Sequence, residues 1–133
     1  MSLENVEIVR QALESGHRDD WDTAAAAFDP DVEWVEMPSL GPDASTYTGI
    51  ERLRGAIQSW TEMWSEYGIE IARYADGGDE VVVLIREQGH GGTSGAAVER
   101  ELGEVASLRE GKIVRVRLYG NWAEALEAAG LSE

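Results

Sequence analysis

The sequence has 133 residues, 43% hydrophobic and 28% charged, and its 26 Asp and Glu against 11 Lys and Arg leave a formal charge of −15. That length suits one domain over 1–133 with a sizeable core, and the lack of cysteine rules out disulfides and thiolate metal sites. The charge argues against nucleic acid or an anionic membrane as partner, no stretch nears the ~20 apolar residues of a membrane span, and no basic leader precedes an apolar run, so a soluble, cytoplasmic protein is expected.

Val6, Val9 and Leu13, with Ile8 and Ala12 beside them, keep a 3.6-residue spacing that predicts a first helix over 3–15. Asp19 or Asp20 can cap a second helix running through Trp21, Ala24, Ala25 and Phe28, which Pro30 stops. The β-branched and aromatic run 32–37 predicts a strand containing Trp34 and Met37, and 39–47 reads as a loop. Thr48-Gly-Ile-Glu51 matches a capping box. From it Ile50, Leu53, Ile57, Trp60, Trp64 and Tyr67 form one stripe of a long third helix, ended by Gly68. Strands are expected at 69–74, 81–88, 97–108 and 113–119, joined by short turns that make antiparallel neighbours. Asn121 caps a short last helix. The order predicts an α+β domain, a curved antiparallel sheet with helices packed on one face.

Several motifs carry no chemistry. The loop Gly89-His-Gly-Gly-Thr-Ser-Gly95 starts like a dinucleotide fingerprint but joins two strands and has Ser94 at the third glycine position. It reads as a flexible hairpin loop over a pocket mouth, with His90 a candidate ligand contact. His17 reads as a solvated turn residue. Neither histidine has metal-ligand spacing, and no cofactor or metal is expected. No nucleophile motif occurs, which leaves acid–base chemistry or binding alone.

In the last hairpin, a tip at Glu110-Gly111 sets Leu108 opposite Ile113, Ala106 opposite Arg115 and Glu104 opposite Arg117. Glu104, Ala106, Leu108, Arg115, Arg117 and Tyr119 then share one face, and Val105, Val114, Val116 and Leu118 the other. Facing the helices, Glu104 and Arg117 would be a buried charged pair in apolar walls, a candidate functional site. Facing water, they would be a solvated cross-strand salt bridge, and a one-residue register change would uncouple them. The chain holds five Trp, four Tyr and one Phe. Trp34, Trp60 and Trp64 line either a bulky core or an aromatic cavity, for which Ala97, Gly103 and Ala106 leave room.

The element order, with 6–13 (VEIVRQAL), 28–34 (FDPDVEW), 47–51 (YTGIE) and 111–114 (GKIV), resembles the SnoaL-like group of the nuclear transport factor 2-like superfamily. Ketosteroid isomerase, polyketide cyclases and limonene epoxide hydrolase belong to the same superfamily. The resemblance implies a cone-shaped fold in which three N-terminal-side helices and a bent sheet enclose a cavity, and a homodimer formed through the sheet's outer face. It carries the family's acid/base position onto Glu104, pointing inward. Ketosteroid isomerase uses an Asp base, with a Tyr and a protonated Asp stabilising an enolate. Here the base position falls on Met37 and the Tyr on about Val9, with Glu36 alternating away from Met37 toward the outside. The epoxide hydrolase's Asp–Arg–Asp set finds at most Glu104 and Arg117. The resemblance thus implies a small-molecule enzyme acting on an apolar carbonyl compound. Glu104 and Arg117 would be catalytic, with Trp34, Met37, Trp60, Trp64, Tyr119 and His90 around the substrate. A non-catalytic module that binds a hydrophobic ligand or supports dimerisation is the alternative.

Overall fold

The computed structural model describes residues 2–91 and 95–131. Helix α1 (Ser2–His17) buries Val9, Ala12 and Leu13, as the spacing requires. Helix α2 (Trp21–Ala27) is capped by Asp20, whose side chain accepts from the backbone of Thr23. Strand β1 (Phe28–Glu36) follows at once and includes Pro30, so α2 ends before Phe28. A single 3-10 turn, Pro38–Leu40, leads to a short strand β2 (Thr46–Thr48) inside the segment expected as loop.

Helix α3 (Ile50–Glu62) departs from expectation at both ends. Gly49 is its N-cap at φ 94, a left-handed conformation suited to glycine, and no side chain caps it, so the capping box does not form. It also stops a full turn early. Trp64 opens strand β3 (Trp64–Asp76), which pairs antiparallel with β4 (Glu80–Gly91). The residues of β3 gain ladder hydrogen bonds and a neighbour for each side chain, more than another helical turn offers, so tertiary pairing overrides the helical spacing of Trp60, Trp64 and Tyr67.

Strands β5 (Ala96–Arg109) and β6 (Lys112–Tyr119) complete a curved, unclosed sheet in the order β2-β1-β6-β5-β4-β3. Its neighbours are antiparallel except β1 and β6, which run parallel. Register shifts interrupt β3–β4 twice, β5–β6 once and β1–β6 once. Such shifts bend a strand and increase its twist.

Helices α1 to α3 cover one face. Val9, Leu13, Ala24 and Leu53 pack there on Trp34, Val81, Val83, Ile85, Ala106, Val116 and Leu118. Each large aliphatic side chain buried in this layer contributes roughly 1.5–3 kcal/mol. Helix α4 (Trp122–Ala128), capped by Asn121, lies on the opposite face, where Ala125 and Leu126 meet Val82, Val105 and Tyr119. Gly103 permits that contact, because a Cβ there would stand 2.5 Å from the Ala125 methyl.

Candidate functional site

The β5–β6 register decides which charges face the helices. Leu108 stands opposite Ile113 as expected, but Ser107 then faces Arg115, so Val114 is an extra residue on β6. From there the ladder is offset by one: Val105 faces Arg117, Glu104 faces Leu118 and Gly103 faces Tyr119. The expected cross-strand pair of Glu104 and Arg117 is therefore absent. Glu104 lies on the helix-covered side among Val83, Ala106 and Leu118, while Arg117 and Tyr119 lie on the α4 side. Arg117 there bonds Glu80 (Nη2–Oε2 2.8 Å) and the Tyr119 hydroxyl (3.2 Å). An isolated ion is costly to bury, and the offset lets the guanidinium meet a carboxylate at the half-exposed edge of α4 instead.

Strand β1 corrects the expectation for its end in the same way. Glu36 stands opposite Leu118 on the Trp34 side, and its carboxylate accepts from the backbone of Ser45 at 3.0 Å. Met37 turns instead to the cluster under α4. His90 sits near the far end of β4, on the alternate face from Glu87, with Nδ1 3.2 Å from Glu66. The glycine loop that follows it falls partly on 92–94, outside the described residues.

Glu104, Trp34, Trp60 and Trp64 all lie on the helix-covered side, and Trp60 and Trp64 gather there with residues that the sequence reading did not single out. Glu87, 5% exposed, accepts from Trp60 Nε1 (2.9 Å), from the Tyr67 hydroxyl (2.5 Å) and from Arg100 through Nε (2.9 Å) and Nη2 (2.7 Å). Arg100 also lies over the Trp60 ring, 4.7 Å from its centroid. Trp64 packs 5.4 Å from Trp60 and 6.0 Å from Tyr67, over Gly89, where a Cβ would come within 2.9 Å of its ring. A buried carboxylate is thus fully engaged beneath an aromatic wall. Burial, then the bond to Glu87, pushes the Tyr67 phenol well above its ordinary value.

Glu104 is the opposite case. It is 3% exposed and its Oε1 has no hydrogen-bond partner. Burial first, and the charge of Glu87 second, raise its pKa from 4.5 to about 8, so the carboxyl is protonated at neutral pH. An orphaned buried polar atom costs about 1–3 kcal/mol and calls for an explanation. A carboxyl held protonated by burial is a candidate proton donor.

His17 completes the helix-covered side. The stripe Val9–Leu13 continues at the same spacing onto His17, which is half-buried rather than solvated. Its ring lines a cleft of about 400 Å³ with Glu14, Arg18, Tyr67, Ile69 and Ile71. Burial lowers its pKa, against a smaller opposing pull from Glu87. The arithmetic of that stripe could have found His17. Glu87, by contrast, sits in an alternating strand pattern that carries no such signal.

Among the described residues no group of three or more His, Asp or Glu side chains could hold a metal ion, and no helix is long and apolar enough to cross a membrane.

No curated protein matches the sequence. Among solved structures, a nuclear transport factor 2-like protein from Burkholderia thailandensis is 25% identical, with 95% of this chain and 96% of that one covered at a TM-score of 0.76. A SnoaL-like protein from Jannaschia is 19% identical, with 99% and 95% covered at 0.77. A protein of ketosteroid isomerase-like fold from Catenulispora acidiphila, in complex with trimethylamine, is 20% identical, with 95% and 94% covered at 0.71. The model of the SnoaL-like domain matches residues 9–116, most of the sheet with α2, α3 and the second half of α1, and the chain belongs to that family.

Proposed function

We propose that the protein is a small-molecule enzyme of the SnoaL-like kind, using acid–base chemistry on an apolar, carbonyl-containing substrate, with Glu104 as the proton donor. The observation that carries this reading is the Glu104 carboxyl, buried on the helix-covered face with one oxygen unpaired. A protonated acid in that position suits an acceptor atom, such as a carbonyl oxygen, that gains charge during reaction. Trp34, Trp60 and Trp64 supply apolar walls for the substrate body, and the trimethylamine-bound relative supports a small organic ligand as occupant. Arg117, Tyr119 and Met37 have no part in this reading, because each turns to the α4 side. His90 serves at most at the rim. The same reading carries a cytoplasmic homodimer formed through the sheet face opposite the helices, as the family resemblance implies.

The test joins ligand binding to turnover. Steroid-like and polyketide-like ketones are titrated against Trp fluorescence, and any that quench saturably are followed for chemical change. Glu104→Gln should keep the fold and the quenching but lose turnover. Saturable quenching without chemical change in the wild type would favour the non-catalytic binding module, and unchanged turnover in the variant would remove Glu104 from the mechanism.

A further inference from the structure

The cleft of about 400 Å³ between the end of α1 and β3 has a charge balance of its own. Its apolar lining is Ile69, Ile71 and the ring of Tyr67, whose hydroxyl is committed to Glu87. Glu14 also lines it but is bonded to Arg10 at 3.1 Å, and the charge of Glu87 is met by Arg100. Arg18 is left over. In a chain of charge −15, Arg10, Arg86, Arg100, Arg115 and Arg117 are each bonded to a carboxylate. The Arg18 guanidinium has only the Ser15 hydroxyl, at 3.4 Å, among the described residues. Asp19 and Asp20 follow it in sequence, but Asp20 caps α2 and neither carboxylate pairs with it. Arg52, Arg54 and Arg109 are unpaired as well, yet none of them lines this cleft. The turn that presents Arg18 is fixed, since the backbone N–H groups of Arg18 and Asp20 both donate to the Ser15 carbonyl, at 3.2 and 2.8 Å. His17 beside it makes no hydrogen bond with another described residue, and burial lowers its pKa, so at neutral pH it offers an uncharged ring with one N–H donor.

We propose that this cleft binds a small organic monocarboxylate with an apolar body, its acid group on Arg18 and His17 and its body against Ile69, Ile71 and the Tyr67 ring. A guanidinium presents parallel N–H donors that match the two oxygens of a carboxylate, and such a charged pair is about twice as strong as a neutral hydrogen bond. The imidazole N–H adds a donor without adding charge. One uncompensated guanidinium neutralises one negative charge. A phosphate monoester would bring a second, which would face Glu14 and the field of a strongly acidic chain. An amine, conversely, would have to draw Glu14 away from Arg10 while standing beside Arg18. The volume lies within the range of small-molecule pockets, and two isoleucines with an aromatic ring give the body of the acid a surface to leave water for. Glu104 does not line the cleft and takes no part in this capture.

The probes are phenylacetate, its neutral isostere phenylacetamide and the cation phenethylamine. Each is titrated at low salt against the full chain carrying isotope-labelled isoleucine methyl groups, read by NMR. Ile69 and Ile71 report the cleft, and Ile113, buried in the sheet opposite Phe28, reports the fold. Phenylacetate should shift the Ile69 and Ile71 methyls saturably and bind about tenfold tighter than the amide, the weight of one hydrogen bond to a charged group. Arg18→Gln, a change at an exposed position, should bring acid and amide to equal affinity while the Ile113 methyl keeps its place. Equal binding of acid and amide by the wild type, tighter binding of the amine, or no saturable shift at Ile69 and Ile71 each overturns the proposal. An acid preference that survives in Arg18→Gln overturns it too. Every reading is of binding, so the outcome stands apart from the turnover test of Glu104.

Discussion

Glu104→Gln should remove most of a pH dependence from the protein's stability. In the unfolded chain this carboxyl loses its proton near 4.5, whereas in the fold it keeps it to about 8. Between those values the native state binds one more proton than the unfolded state, so stability is full below 4.5, falls as pH rises through the window, and levels off above about 8. At 1.36 kcal/mol per unit, the slope is about 1.4 kcal/mol per pH unit and the total loss about 5 kcal/mol. Gln keeps the shape and titrates nowhere, so its term is flat. Urea unfolding of both proteins across the window gives the two stabilities. Their difference, variant minus wild type, should grow with pH at that slope. A difference that stays constant would mean that Glu104 is ionised in the native state, and the proton-donor role would fall with it.

Other substitutions test the architecture around the site. Arg100→Ala strips both bonds from Oε1 of the buried Glu87 and should cost about 3 kcal/mol in urea unfolding at neutral pH. Arg117→Ala should leave ligand-induced Trp quenching unchanged, since its guanidinium bonds Glu80 on the α4 side; a weakened response would contradict the observed register. Gly103→Ala forces a methyl against Ala125 and the Asn121 carbonyl, and thermal melts should register a loss of about 1–3 kcal/mol as α4 is displaced. Asn121→Ala removes the α4 cap bond to the backbone of Glu124 and should cost about 1 kcal/mol by the same measurement.

Much of the fold is legible in the sequence, and its departures have physical causes. The stripe through Val9 and Leu13, the Asp20 and Asn121 caps and the alternating strands after Gly68 express local preferences that the fold keeps. The end of α3 is different: Trp60, Trp64 and Tyr67 fit a helical spacing, but Trp64 and Tyr67 belong to a strand because β4 offers them a ladder. No local pattern reports that partner. Within the candidate site, the inward placement of Glu104 and Trp34 was available from the family resemblance, and the isolation of Arg117 was not. Alternation is equally clean in either register, so the extra residue in β6 leaves no trace in the order of apolar and polar positions. Glu87 went unmarked for a related reason. Its four donors come from α3, β3 and β5, elements far apart in the chain.

The extra residue at Val114 also bears on how such a protein changes over time. A regular ladder in this hairpin would turn Arg115, Arg117 and Tyr119 toward the three helices in place of Val116 and Leu118. The buried face of this strand would pass from aliphatic to cationic and aromatic with every amino acid retained. A single inserted or deleted position near the hairpin tip is thus a larger step in ligand preference than most substitutions in the lining itself. On the proposed reading, lineages sharing this architecture can diverge in what they bind through the spacing of one backbone unit near the hairpin tip.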